Sequence, residues 1–183
     1  MITSRALVNA ISLSRIPIAL LFVLSFTPEK TLFYISVALC AAALATDILD
    51  GIFARKLGVA STDARHWDSL GDKAVYVAVI VAFLTNGLLG PLLSWALLLR
   101  EVALYITRIL YIENIGQIER IRPYTNWHGY FLYATIALGL TEMWGRLHGF
   151  TLGLYPYIQM AAIAALAFGV ASIFAFLRLP KAR

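Results

Sequence analysis

Apolar runs of about 20 residues, the length a helix needs to cross the hydrocarbon core of a bilayer, alternate with short polar breaks along this chain. The runs fall at 8–26, 31–54, 68–89, 91–112, 123–145 and 151–177. The breaks carry turn chemistry. Thr27-Pro28-Glu29-Lys30 is a turn, 56–67 a polar connection, and Asn86-Gly87 with Gly90-Pro91 a tight turn. Residues 113–122 form a charged loop and 146–149 a short polar turn. No internal repeat or low-complexity segment interrupts the pattern. It predicts an all-α integral membrane protein with six transmembrane helices, built as a single membrane domain over 1–183.

Composition agrees. The chain is 61% hydrophobic and 14% charged, against about half apolar and a quarter charged in a soluble domain. Its net charge of +5 is spread out, with no Lys/Arg run interleaved with aromatics, so no nucleic-acid partner is expected. Cys40, the single cysteine, has no internal disulfide partner. The run 16–26 follows Arg5 but precedes no small-residue cleavage pattern, so it reads as a retained first span. With six spans both termini share one side, together with Arg5, Lys56, Arg65, Arg120, Arg122, Arg178, Lys181 and Arg183. Lys30 and Arg146 fall on the other. The positive-inside rule then places both termini in the cytoplasm, with the protein in the cytoplasmic membrane.

The strongest chemical signal is a set of carboxylates at the ends of spans two and three: Asp47, Asp50, Asp68 and Asp72. Ionisable groups near membrane depth are costly and usually line a cavity, pair or bind an ion. Asp47 and Asp50 are three apart and Asp68 and Asp72 four apart, so each pair shares one helix face. All-oxygen ligands select hard cations such as Mg2+, Mn2+ or Ca2+. Four carboxylates suit two metals about 4 Å apart, an arrangement that clamps an in-line phosphoryl displacement. Gly51 and Ala54 leave room for a ligand close to the backbone, and Arg55 offers a permanent planar charge for phosphate. On residues alone, metal-dependent phosphoryl chemistry leads, and ion or proton translocation is its rival. A transporter has no need of the Gly-x2-Ala-Arg segment and more often shows inverted repeats.

The stretch resembles the signature of the CDP-alcohol phosphotransferases, D-x2-D-G-x2-A-R-x8-G-x3-D-x3-D. Here it reads Asp47-x2-Asp50-Gly51-x2-Ala54-Arg55-x8-Ala64-x3-Asp68-x3-Asp72, with every spacing kept. Only Ala64 departs, standing where the family has glycine. The resemblance implies that Asp47, Asp50, Asp68 and Asp72 bind two divalent cations, Mg2+ or Mn2+, with Asp72 also the general base. It implies that Gly51, Ala54, Arg55 and the Ala64 position hold the CDP moiety. The implied reaction is attack of a small alcohol acceptor on the lipid-linked phosphorus of a CDP-lipid, with CMP leaving. If the Ala64 site is tight, the added methyl costs about 1–3 kcal/mol. Membrane lipids surround such an enzyme, and the family's frequent dimers imply a homodimer.

Two further patterns bear on the acceptor. Asn9-x-Ile11-Ser12-x2-Arg15 is similar to the entry of phosphatidylglycerophosphate synthases, and Arg100-Glu101-Val102 with Arg108 looks like their R-E-I…R pattern. Arg108, with Arg120 and Arg122, suits an acceptor that itself carries phosphate. Glycerol 3-phosphate is the first choice and inositol phosphate the second. Against this, Arg100 has a structural reading in pairing with a carboxylate such as Glu101. Arg120 and Arg122 equally suit anionic headgroups. His66, His128 and His148 lack metal-ligand spacing and read as interfacial or loop residues. Trp67, Trp95, Trp127 and Trp144 suit an aromatic belt.

Overall fold

The structure, a computed structural model, describes residues 2–57, 62–111 and 115–178. Among these are the α-helices α1 (Ile2–Ser25), α2 (Lys30–Leu57), α3 (Thr62–Thr85), α4 (Pro91–Tyr111), α5 (Ile115–Leu147) and α6 (Tyr155–Leu177), and no strand. The chain divides into two compact units, 1–82 and 83–183, with the division inside α3.

In the first unit α1 packs on α2. Among the described residues the buried positions of α1 are Ser12, Arg15, Ala19, Phe22 and Ser25, and those of α2 are Phe33, Ser36, Cys40 and Ala43. Both stripes repeat at three and four residues, the spacing of one helix face. Phe26 closes the α1–α2 turn between Phe22 and Phe33, with ring centroids 5.4 and 6.1 Å away. Val75, Ala78 and Val79 of α3 share with α1 and α2 a small apolar gap of about 10 Å³, room for at most one water and without polar groups to hold it.

In the second unit α6 packs on both α4 and α5. Its inner stripe is Ile158, Ala162, Ala165, Gly169, Ser172 and Phe176. Small residues there let neighbouring helices approach closely. The opposite face exposes Tyr157, Met160, Ile163 and Phe174. A helix apolar all round yet covered on one side only is suited to lipid. Among the described residues α6 is the helix long and apolar enough to cross a membrane, and 10–25 and 30–46 are shorter apolar segments.

Turns and helix ends differ from the sequence expectation in a consistent way. Thr27, Pro28 and Glu29 do form a turn, and Gly87, with φ 67°, takes the left-handed conformation that glycine tolerates. The expected connection 56–67 is instead largely helical, since α2 runs to Leu57 and α3 starts at Thr62. Likewise α5 begins at Ile115, inside the expected loop 113–122, and carries Pro123 within it. Hydropathy marks only the part of a helix suited to lipid, and the helix itself continues into polar sequence until the chain must turn. Helix α6 starts at Tyr155 rather than 151, because Gly153 sits at φ 68° and Pro156 occupies the first turn, where its missing N–H costs nothing.

Side chains staple the turns of the second unit. Gln159 donates to the Leu88 carbonyl at 2.8 Å and accepts from the Gly90 N–H at 3.2 Å. Glu142 accepts from the Leu154 N–H at 3.1 Å and from Arg146 Nε at 3.1 Å. At Gly139 the helix packs directly on the Phe83 ring: a Cβ there would lie 2.1 Å from it.

Candidate active site

Helix α2 carries Asp47, Asp50, Gly51, Ala54 and Arg55 in its last three turns, and α3 carries Ala64, Asp68 and Asp72 in its first three. The signature therefore spans one helix end, a connection and the next helix start. Asp47, Asp50, Gly51, Ala54, Arg55, Ala64 and Asp68 lie outside the residues whose side-chain surroundings are described, as do Arg108, Arg120 and Arg122. Among the described residues no three His, Cys, Asp or Glu side chains form a metal-binding group.

Asp72 is described, and its setting is specific. Its side chain is 38% exposed, and its Oδ1 accepts a hydrogen bond from Nη1 of Arg15, whose side chain is 1% exposed. The pair joins α3 to α1 across 57 residues of sequence. The two helices touch at the preceding residue: a Cβ on Gly71 would lie 2.5 Å from the Ser12 carbonyl oxygen. Only a glycine permits that approach. Ser12 and Arg15, one helical turn apart, thus meet Gly71 and Asp72. Sequence reasoning did not count Arg15 as a site residue. The available signal was its place in the Asn9-x-Ile11-Ser12-x2-Arg15 pattern.

The second unit holds a different polar cluster. Arg100 Nη1 donates to Glu101 Oε1, next to it on α4, with both side chains almost fully buried. His128 of α5 lies with Nε2 2.8 Å from Arg100 Nη1 and Nδ1 2.7 Å from the Ala165 carbonyl oxygen of α6. A carbonyl only accepts, so Nδ1 carries a proton, while Nε2 lies between Arg100 Nη1 at 2.8 Å and Glu101 Oε1 at 3.2 Å. Arg100 Nη2 reaches Ser172 Oγ at 3.5 Å, and Ser172 donates to Gly169 O at 2.6 Å. A Cβ on Gly169 would lie 2.3 Å from Arg100 Nε, so this glycine makes room for the arginine. His128 is therefore a buried core residue that ties α4, α5 and α6, not an interfacial or loop one. Arg100 takes the structural reading. His148 does lie in the turn, stacked on Trp144 with centroids 4.6 Å apart, and Trp95, Trp127 and Trp144 are exposed.

The CDP-alcohol phosphatidyltransferase family matches residues 5–177. A CDP-diacylglycerol–glycerol-3-phosphate 3-phosphatidyltransferase of Aquifex aeolicus (strain VF5) is 31% identical over 140 residues, covering 74% of this chain and 73% of that protein. No solved structure matches this chain.

Proposed function

Since this chain belongs to the CDP-alcohol phosphatidyltransferase family, we propose that it transfers the phosphatidyl group of CDP-diacylglycerol to glycerol 3-phosphate, releasing CMP. The observation that carries the proposal is the placing of Asp47 and Asp50 on α2 and Asp68 and Asp72 on α3, at the spacing of the signature. The choice of acceptor is supported by the activity named for the Aquifex relative and by the Arg100-Glu101…Arg108 pattern.

Asp47, Asp50, Asp68 and Asp72 are the residues that would hold two divalent cations, Mg2+ or Mn2+. An anionic all-oxygen set suits hard cations, and Asp72 is exposed enough to meet a ligand. Such cations, when bound, offset the charge of the diphosphate and of the departing CMP. Asp72 takes the proton of the acceptor hydroxyl as its oxygen bonds to phosphorus. The phosphoanhydride bond breaks, and its electron pair leaves with CMP. Arg55 holds the diphosphate as a fixed planar donor, with Gly51 and Ala54 leaving space for the nucleotide. Ala64 narrows that space without removing a ligand. Arg108, with Arg120 and Arg122, receives the phosphate of the acceptor.

We place the protein in the cytoplasmic membrane with six spans, its termini and aspartates on the cytoplasmic side. The cation asymmetry of the loops and the apolar α6 support this. The family match runs across the division between the two units, which supports one catalytic domain formed by the whole chain. A homodimer belongs to the same proposal, and its mass in detergent tests it.

The deciding experiment is CMP release by purified protein in detergent, with CDP-diacylglycerol and Mg2+ or Mn2+. The acceptor panel holds glycerol 3-phosphate, inositol phosphate, inositol and serine. Release with glycerol 3-phosphate alone, lost on chelation, is the expected result. Release with another acceptor reassigns the substrate, and no release with any of them overturns the reading.

A further inference from the structure

The ion pair between Arg15 and Asp72 has an asymmetry that packing alone does not require. Arg15 is sealed at 1% exposure, whereas its carboxylate partner is 38% exposed. Burying a guanidinium costs several kcal/mol unless its pairing is good. Asp72 keeps part of its hydration and one open side, whereas Glu101 around Arg100 is enclosed. Nor do α1 and α3 depend on the pair for contact. The Gly71–Ser12 approach and the apolar gap lined by Ala19, Val75 and Val79 already join them.

We propose that Arg15 is a positioning residue for the transfer reaction: from α1 it fixes the rotamer of Asp72, so that the carboxylate meets the acceptor hydroxyl in one orientation. This rests on the reading of Asp72 given above. A carboxylate offers about four lone-pair directions over two oxygens. The guanidinium engages Oδ1 from the buried side, which sets the plane of the group and the directions its exposed side presents. Gly71 fixes the distance over which Arg15 reaches, because α1 and α3 meet there at backbone contact. At 1% exposure Arg15 is closed off from solvent, and Asp72 is the half-exposed partner through which it acts on the reaction. The consequence is a rate effect with little effect on binding, since a misplaced reacting group costs rate even where binding is intact.

The test uses the full-length protein in detergent with CDP-diacylglycerol, glycerol 3-phosphate and saturating Mg2+. Arg15→Met is expected to lower kcat by roughly 100-fold, the scale of a misplacement of about 1 Å, with both KM values unchanged. Arg15→Lys, which keeps a cation on a stem of similar length, is expected to recover most of that rate. Adding Arg15→Met to Asp72→Asn is expected to slow the residual reaction no further, because residues that act as a unit are not additive. Wild-type kcat in Arg15→Met overturns the proposal. So does a loss that appears in the KM for CDP-diacylglycerol, or one additive with Asp72→Asn. If Arg15→Met does not fold, Arg15→Lys decides: a rate several-fold below wild type at unchanged KM supports the role, and an unchanged rate overturns it. An inactive wild type overturns the functional reading itself, an outcome distinct from failure of the variants alone.

Discussion

The two units each contain an arginine paired with a carboxylate, and the pairs are built to opposite ends. In the second unit Arg100, Glu101 and His128 are enclosed, and their polar contacts tie α4, α5 and α6. In the first unit Arg15 is enclosed but Asp72 is not. A buried polar network in which each charge meets a partner makes a rigid core. A carboxylate held on one side and accessible on the other can meet a substrate. The same two residue types thus leave the carboxylate enclosed in one unit and accessible in the other.

Substitutions break this contrast in order of expected size. Asp68→Asn should reduce CMP release by roughly 10²-fold or more, the scale of a lost catalytic group, while leaving the unfolding temperature in detergent intact. Retained turnover would remove Asp68 from the metal set. On the other side of the comparison, Glu101→Gln should lower stability by about 3–5 kcal/mol, because it strands the buried Arg100 charge. Unfolding titrated with denaturing detergent measures it, and turnover per folded molecule should hold. A stable but inactive variant would transfer Glu101 to the site. Gly169→Ala should cost about 1–3 kcal/mol, since the added methyl must displace Arg100. A neutral result in the same titration would mean that Arg100 can move without loss. The smallest effect is expected at Arg146, whose side chain is 40% exposed in its i,i+4 pair with Glu142. Arg146→Ala should change stability by no more than about 0.5 kcal/mol, and a larger loss would show that the Glu142 staple of Leu154 depends on it.

The order of helices, the turns at 27–29 and at Gly87, and the placing of the aspartates on two successive helices were legible from the chain, because each depends on spacing within one helix or one turn. Helix ends near the polar connections were not. Hydropathy follows the preference for lipid, whereas Lys56, Leu57 and the residues from Thr62 onward keep helical hydrogen bonding without that preference. His128 was misread for a related reason. Its partners Arg100 and Ala165 stand 28 and 37 residues away, and no local pattern records them.

The sequence by itself determined which aspartates share a helix, since the spacings from Asp47 to Asp50 and from Asp68 to Asp72 set a helix face wherever the helices lie. Tertiary structure alone decided which cation reaches which carboxylate. Arg15 and Arg100 look alike in sequence, each a charge within an apolar run. Helix register places one against a half-exposed aspartate on α3 and seals the other between α4, α5 and α6. That register depends on close approaches at Gly71 and Gly169, where a side chain's absence, invisible to any periodicity, sets how near two helices can come.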